Sequence, residues 1–459
     1  MLRSAFIFSS SSSTKRISRA SKTFKLSLRC HFPAALVVTP SSSSQRTFVR
    51  TASQPTPNSN SSLVLYNSLS QSYRSIDIAV KDTDDATDDA ADDAADITHR
   101  EHVVKESSKG YVWYTCGPTV YDDAHLGHAR TYVCLDILQR ALLHSHALFH
   151  QRPKPIFIMN ITNVDDKILN RAKERNVHPI ALAQKYEAEF WEDMDSLNVM
   201  RPTIVTRVTD HVEDSIIPYI ETIMAGGMAY ERKGSVYFDV KAFEAGQEEG
   251  QGRVNQYGKL APHVQTTAAF HKQASEGDGD DAEAEAESDL KRDSRDFVLW
   301  KGRDGNSSKE EPLIWNSPWG PGRPGWHIEC SAMIESTMQK FQKTHQMYFH
   351  AGGVDLKFPH HTNEIAQAEA YHSSLRASNN NSDKQTCCEE RGREWIPHWI
   401  HTGHLHIEGR KMSKSLKNFI TIRELLAQND VVPNSDGTTT HSSILESPAD
   451  DFRTWCLGL

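Results

Sequence analysis

The chain has 459 residues, a hydrophobic share of 38% and a formal net charge of −9. Two or three domains with tails are expected at this length, and the low hydrophobic share indicates that part of the chain lies outside any core. No apolar run approaches the about 18 residues that a membrane span requires. The odd number of scattered cysteines also argues against a disulfide framework. The sequence therefore excludes a membrane-spanning protein and a small disulfide-rich one.

The first 76 residues contain neither Asp nor Glu, although basic residues recur among runs of serine. The basic positions include Arg3, Lys15, Arg16, Arg19, Lys22, Lys25, Arg29, Arg46 and Arg50. This composition is typical of an organelle transit peptide. The sequence predicts a transit peptide or disordered segment over 1–76, with the mitochondrion as the first destination. A plastid, dual location with the cytoplasm and an ordinary disordered tail are the alternatives.

Two acidic stretches interrupt the chain, one at 77–96 and one at 276–293. Both are predicted to be solvated, the first within an acidic linker over 77–108 and the second as a surface loop. Together they account for the net negative charge of the chain. The net charge therefore does not argue against an RNA partner, which needs only a local basic face.

Order is predicted to begin at Tyr111. Residues 111–115 form a β-prone run, leucines spaced three and four apart over 135–142 indicate a helix with one buried face, and residues 156–159 have the composition of a buried strand. A strand, a helix and a strand in this order make a βαβ unit, which requires a parallel sheet. The predicted fold class is therefore α/β, with a Rossmann-like parallel-sheet catalytic domain.

The apolar pattern divides the rest of the chain. A further helix is predicted from about Pro179, and short strands follow until the second acidic stretch. The predicted segments are two halves of the parallel-sheet domain at 109–210 and 301–405, an inserted connective subdomain at 211–300, and a C-terminal part at 406–459 with a basic loop and the start of a helical segment.

Two short motifs are candidates for phosphate chemistry. The first, His125-Leu-Gly-His128, lies where a helix begins after a strand. There imidazoles and backbone N–H groups can meet phosphate oxygens, and Gly127 lets a nucleotide approach the backbone. The second, Lys411-Met-Ser-Lys-Ser415, offers two lysines to the charge that develops on a leaving pyrophosphate. Taken singly, the first motif favours structural histidines and the second a solvated basic loop.

Together, in this order on a nucleotide-type sheet, the two motifs resemble the signature motifs of class I aminoacyl-tRNA synthetases. The resemblance implies activation of a carboxyl group with ATP and Mg²⁺ to an aminoacyl-adenylate, and then an ester on tRNA. The residues implied to bind ATP are His125, Gly127, His128 and Lys414. The two histidines and Lys414 are also implied to stabilise the transition state of adenylate formation, and Lys411 is implied to assist.

Four further side chains have the chemistry of metal ligands. Cys116 lies at the tip of the first predicted strand and Cys330 in a later segment, whereas His360 and Glu364 are four apart and share one face if a helix starts there. Two sulfurs, one imidazole and one carboxylate suit zinc, which is borderline soft. The spacing is not that of a zinc finger, and each residue alone favours a core cysteine or a structural histidine.

Longer segments resemble cysteinyl-tRNA synthetases over about residues 111–425. The matching segments are 114–122, 160–166, 325–333 and 358–364, and 404–412 is similar to the eukaryotic branch of that family. The resemblance implies that one zinc ion per chain is held by Cys116, Cys330, His360 and Glu364. The side chains implied to line the amino acid pocket are Thr162, Trp326 and His350. The implied partners of this chain, taken as a monomer, are L-cysteine, ATP and tRNA(Cys).

A metal suits this substrate for a physical reason. Cysteine differs from serine by one atom, and an apolar pocket gains only about 1–3 kcal/mol from so small a difference. Zinc favours a thiolate, because the metal lowers the pKa of a bound thiol while a hydroxyl stays protonated. The hypothesis is that zinc recognises the side chain of the substrate and takes no part in forming the new covalent bond.

Members of that family continue past the second motif into a helical domain that reads the anticodon, whereas this sequence ends at Leu459. A chain truncated before the anticodon-binding domain is therefore expected. Two other functions stay open, namely a cysteine ligase of the same fold that passes the adenylate to a small amine, and a non-catalytic, zinc-stabilised RNA-binding module. The eukaryotic-like segments and the transit peptide argue against the first. The intact signature motifs argue against the second.

Overall fold

The computed structural model describes residues 62–77, 109–149, 152–248, 253–262, 290–303, 312–378, 394–407, 410–411, 419–427, 452–453 and 456. Its strands are β1 Ser62–Asn67, β2 Ser72–Asp77, β3 Gly110–Thr115, β4 Ile156–Ile161, β5 Ile204–Arg207, β6 Ala229–Arg232, β7 Ser235–Phe238, β8 Gln247–Glu248, β9 Arg253–Val254, β10 Phe297–Gly302, β11 Gly322–Pro324, β12 His345–Gly353, β13 His398–Thr402, β14 His406–Ile407 and β15 Arg410–Lys411. Its α-helices are α1 Leu126–Phe149, α2 Asp166–Arg175, α3 Pro179–Ser196, α4 Ile217–Ala225, α5 Val240–Ala245, α6 Trp326–Phe341, α7 His360–Ser378 and α8 Ile422–Ala427.

Five strands form the central sheet in the order β13-β12-β3-β4-β5, and every neighbouring pair is parallel. Tyr114 of β3 belongs to a buried cluster with Ile334 of α6 and Ile365 of α7, whereas Trp113 belongs to one with Leu135 of α1. Because successive side chains of a strand point to opposite faces, helices cover both sides of the sheet. The predicted α/β class with a parallel sheet is confirmed.

The predicted elements of the first half have the expected types. The β-prone run at 111–115 lies in β3, the buried run at 156–159 lies in β4, and the spaced leucines lie in α1. Helix α3 begins at Pro179, where the missing N–H of proline leaves no unpaired donor, and the His178 side chain accepts a hydrogen bond from the N–H of Ile180. Among the described residues, no helix is both long and apolar enough to span a bilayer.

A second, antiparallel sheet has the order β11-β10-β7-β6. Three of its strands come from the segment 211–300 that is predicted to be an insert, and β11 extends the sheet beyond that segment. Phe238 and Trp300 are buried in its core. The insert also contacts the second half of the parallel-sheet domain, because the Tyr257 hydroxyl donates to Asn363 Oδ1 of α7 at 2.5 Å. Of the acidic loop 276–293, only the last four residues lie among those described.

The prediction that order begins at Tyr111 is wrong for residues 62–77. They form an antiparallel β1–β2 hairpin that docks on the edge of the main sheet beside β13. Asn67 Nδ2 donates to the carbonyl oxygen of Pro397 at 2.6 Å, and Asn67 Oδ1 accepts from the N–H of Trp399 at 3.2 Å. The Ser68 N–H donates to the Trp399 carbonyl at 2.9 Å. The composition of 1–76 hides this short hairpin, because serine and basic residues dominate the segment as a whole.

The hairpin contact leads to a stability prediction. We expect Asn67→Ala to lower the free energy of unfolding by about 1–3 kcal/mol, because it removes the partner of the buried Trp399 N–H and of the half-buried Pro397 carbonyl group. Chemical denaturation would measure the change, with Ser72→Ala on the exposed part of the same hairpin as the control. Wild-type stability in the Asn67 variant would contradict the docking contact.

Candidate active site

The candidate metal ligands meet at the carboxyl end of the central strands. Cys116 directly follows β3, and its N–H donates to the Ala351 carbonyl of β12 at 3.0 Å. It continues the face of β3 that packs toward α6 and α7. Cys330 lies in the second turn of α6, and His360 and Glu364 lie one turn apart at the start of α7. Ligands of open parallel sheets bind at this edge as a rule.

The ligand atoms of these four residues, called here the donor cluster, lie within 4.8 Å of one another. The Sγ atoms of Cys116 and Cys330 are 3.7 Å apart, and Cys116 Sγ is 3.9 Å from Glu364 Oε1. His360 Nε2 is 3.1 Å from the same Glu364 oxygen. All four side chains are buried, with at most 4% exposure. Burying this many titratable groups together is unfavourable unless they are paired or coordinate a metal.

The electrostatics of the donor cluster favour ionised ligands. Burial opposes ionisation of Cys330, but the hydrogen bond from Cys116 and the facing His360 lower its pKa to about 6. Burial also opposes ionisation of Glu364, yet the neighbouring His350 and His360 lower its pKa to about 2. For Cys116, burial and the sulfur of Cys330 raise the pKa of the thiol. A carboxylate and one readily ionised thiol are therefore present without a metal, and a cation would favour ionisation of the second.

A second group of donors overlaps the first. His350, His361, Cys116 and Glu364 also offer ligand atoms within 4.8 Å of one another. His350 Nε2 is 2.8 Å from Glu364 Oε2, and His361 Nε2 is 3.3 Å from Cys116 Sγ. Burial lowers the pKa of His361 well below its usual value. The site thus holds two alternative sets of metal donors that share Cys116 and Glu364.

Of the residues predicted to line the amino acid pocket, Trp326 and His350 contact the donor cluster and Thr162 contacts Glu329, which precedes Cys330. The Trp326 ring stacks on His360, with ring centroids 4.4 Å apart, and His350 stacks on Trp399 at the same separation. The Thr162 hydroxyl donates to Glu329 Oε2 at 3.0 Å. The two tryptophan rings hold the imidazoles of His360 and His350 in fixed orientations beside the candidate ligand atoms.

The first phosphate motif begins α1 through reciprocal hydrogen bonds. His125 Nδ1 accepts from the Gly127 N–H at 3.1 Å, and His128 Nδ1 accepts from the His125 N–H at 3.2 Å. The two rings stack 4.0 Å apart. Because Nδ1 of each neutral ring is an acceptor, its proton lies on Nε2. The motif therefore caps the start of α1, and its ring protons lie on the two Nε2 atoms.

The chain returns to this motif after the second one. Lys411 lies in β15, which pairs with β14, whereas Lys414 lies outside the described residues. The next described segment pairs with the first motif, since His125 bridges to Thr421 and the Leu126 N–H donates to the Ile420 carbonyl at 3.0 Å. Segments that are distant in sequence thus adjoin at the start of α1.

Comparison with known proteins identifies the fold family. The family model described as "tRNA synthetases class I (C) catalytic domain" matches residues 102–378 and 377–433. The chain belongs to this family. It is 45% identical over 326 residues to a cytoplasmic cysteine–tRNA ligase of Dictyostelium discoideum, covering 71% of this chain and 42% of that protein.

Other relatives of this synthetase catalytic domain carry related names. The chain is 43% identical over 317 residues to a probable mitochondrial cysteine–tRNA ligase of Xenopus tropicalis, covering 68% of this chain and 45% of that protein. It is 40% identical over 331 residues to a cysteine–tRNA ligase of Pyrococcus horikoshii, covering 72% and 57%. The chain spans about half the length of the curated relatives it matches.

Within this synthetase domain, the structure brings together residues that sequence reasoning singled out and others that it missed. The four candidate ligands meet, Trp326 and His350 contact them, and Thr162 bonds to Glu329 beside Cys330. The missed residues are Glu329, His327, His361 and His401. His361 was visible as the second member of a His-His pair, and three residues before Glu364 it also shares the helical face of that residue, but the prediction took only His360 as the partner. His327 and Glu329 lie in the matching segment 325–333 without a predicted role, and His401 carries no local signal.

Proposed function

We propose that this chain activates L-cysteine with ATP and transfers the product to tRNA(Cys). The cysteine carboxylate oxygen attacks the α-phosphorus of ATP, pyrophosphate leaves, and the adenylate then esterifies a tRNA hydroxyl with release of AMP. One observation carries the proposal, namely a buried donor cluster with two thiols at the sheet edge of a class I synthetase catalytic domain. The proposal is also supported by the relatives, which are named as cysteine–tRNA ligases.

The donor cluster fits zinc. Two thiolates on a tetrahedral zinc ion lie about 3.8 Å apart, given Zn–S distances of about 2.3 Å, and the two Sγ atoms here are 3.7 Å apart. Two sulfurs, one imidazole and one carboxylate are donors that zinc accepts. We assign one zinc ion to Cys116, Cys330, His360 and Glu364. When bound, it supplies a soft Lewis acid that favours the cysteine thiolate over a serine hydroxyl.

The protein's own residues orient the substrate around this cluster. Trp326 and His350 form aromatic walls on two sides, and Thr162, fixed by Glu329, offers its hydroxyl oxygen as an acceptor. In this arrangement the side chain of cysteine points to the donor cluster. The carboxylate of the substrate then faces the start of α1, where ATP is expected to bind.

The ATP end of the site is assigned to the two signature motifs. The Nε2–H groups of His125 and His128 donate to phosphate oxygens at the positive end of α1, and Gly127 leaves room for the nucleotide. Lys414, assisted by Lys411, neutralises charge on the leaving pyrophosphate together with Mg²⁺. The pairing of residues 420–421 with 125–126 supports this assignment, because it brings the chain that follows the lysines back to the histidines.

We further propose that the protein acts as a monomer in the mitochondrion, with a plastid or dual location with the cytoplasm as alternatives. The acid-free N-terminal segment supports targeting to an organelle. A fluorescent fusion to residues 1–61 tests the location, and a signal in the cytoplasm alone would contradict targeting to an organelle.

Cysteine-dependent exchange of pyrophosphate into ATP tests the proposed activity. We expect exchange with cysteine and, with serine, a rate lower by more than the about 200-fold that an apolar pocket achieves. Chelation of zinc is expected to remove this preference. A metal-replete protein without exchange would contradict the proposal, and exchange without charging of tRNA(Cys) would instead support a ligase that uses another acceptor.

A further inference from the structure

The turn of the β1–β2 hairpin reaches into the catalytic domain through one hydroxyl group. Ser68 is 4% exposed, and its Oγ lies 2.8 Å from His401 Nδ1. The Ser68 N–H, which bonds to the Trp399 carbonyl at 2.9 Å, fixes the position of this residue independently of the hydroxyl. The backbone of the hairpin is therefore held at this residue by a bond that does not involve the hydroxyl.

From Ser68, hydrogen bonds lead in one line to a sulfur of the donor cluster. His401 Nε2 lies 2.7 Å from His361 Nδ1, and His361 Nε2 lies 3.3 Å from Cys116 Sγ. Each of the two imidazoles faces one neighbour with Nδ1 and the other neighbour with Nε2. A neutral ring carries one proton, so the nitrogen that is protonated in one ring determines which nitrogen is protonated in the other. Ser68 and Cys116 stand at the two ends of this line.

The proton order follows from the charge of the last member. In the zinc site proposed above, Cys116 is a thiolate and can only accept a hydrogen bond, so His361 Nε2 must carry a proton. His361 Nδ1 is then an acceptor for the Nε2–H of His401. His401 Nδ1 is in turn an acceptor for the hydroxyl proton of Ser68. The opposite order would set a nitrogen lone pair against the thiolate.

We propose that Ser68 is a positioning residue for the metal site. Its hydroxyl fixes the tautomers of His401 and His361, so that Cys116 Sγ receives an N–H donor. In other metalloproteins, groups that hydrogen-bond to a metal ligand orient that ligand, and their loss lowers metal affinity about 10- to 100-fold. The inference rests on the proposed function, because it requires a metal-bound thiolate. It also means that a processed protein must keep residues 62–77.

Zinc affinity of the full chain tests this role. Wild type, Ser68→Ala, Ser68→Thr and Ser70→Ala are titrated with Zn²⁺ against a chromophoric chelator. We expect Ser68→Ala to raise the zinc Kd about 10-fold or more, and Ser68→Thr to restore it because the hydroxyl returns. Ser70 is the matched control, since its hydroxyl lies on the same turn and bonds to the hydroxyl of the exposed Ser72 at 2.9 Å. Unchanged zinc affinity in a folded Ser68→Ala protein would overturn the inference.

A double-mutant cycle guards against a folding defect. His401→Phe keeps a planar ring but removes the acceptor that faces Ser68, so adding Ser68→Ala to it should cause no further loss of zinc affinity. If Ser68→Ala does not fold, His401→Phe alone is expected to raise the zinc Kd, and a wild-type value would refute the inference. With Co²⁺ in place of zinc, a changed thiolate charge-transfer band in Ser68→Ala is the matching spectroscopic sign. A wild-type chain that binds no zinc would refute the proposed function itself, which is a different outcome.

Discussion

The Cys330→Ser protein is expected to lose its zinc and, with it, the preference for cysteine over serine. Cys330 is the thiol of the donor cluster with the lowered pKa, and a serine hydroxyl in its place stays protonated and binds zinc poorly. We expect zinc affinity to fall by more than the about 100-fold that the loss of an outer partner causes. Metal content per chain and exchange rates with cysteine and serine measure the two effects.

Cys134→Ser is the matched control, because Cys134 is a half-buried thiol of α1 outside the donor cluster. The second set of donors offers an alternative position for the zinc ion, which the variants can distinguish. If Cys330→Ser kept its zinc while His361→Ala lost it, the ion would belong to Cys116, His350, His361 and Glu364. The positioning role of Ser68 would then fail as well, because His361 would be a ligand.

The second large effect concerns His125. We expect His125→Asn to reduce the rate of pyrophosphate exchange about 10²- to 10³-fold, since it removes one fixed donor to the charge that develops in the transition state. Asparagine keeps an acceptor for the Gly127 N–H, which His125 Nδ1 now bonds at 3.1 Å, and is a good N-cap residue. The stability of the fold should therefore stay near that of wild type.

His125→Ala supplies the comparison, because it removes both the donor and the cap. It is expected to lose a similar factor in rate and about 1 kcal/mol of stability in addition. Thermal unfolding and the rate of exchange at saturating ATP separate the two effects. A His125→Asn protein with a nearly wild-type rate would show that these histidines serve only to begin the helix.

Local patterns in the sequence determined much of the fold. Strands β3 and β4 are buried on both faces, and their sequences are therefore short continuous runs of β-prone residues. Helix α1 has one buried face, and its sequence accordingly has leucines spaced three and four apart. His360 and Glu364 were predicted to share a face for the same reason, because one helical turn fixes their separation. Each of these features depends on residues that are near one another in the chain.

Only the tertiary structure decided the rest. Residues 62–77 lie in a segment whose composition suggests disorder, yet a few hydrogen bonds to Pro397 and Trp399 hold them on the sheet. The line from Ser68 through His401 and His361 to Cys116 joins residues from four distant parts of the sequence. Sequence periodicity reports which face of an element is buried, but not which side chains meet there. That depends on how strands and helices pack, and packing is set by contacts over the whole chain.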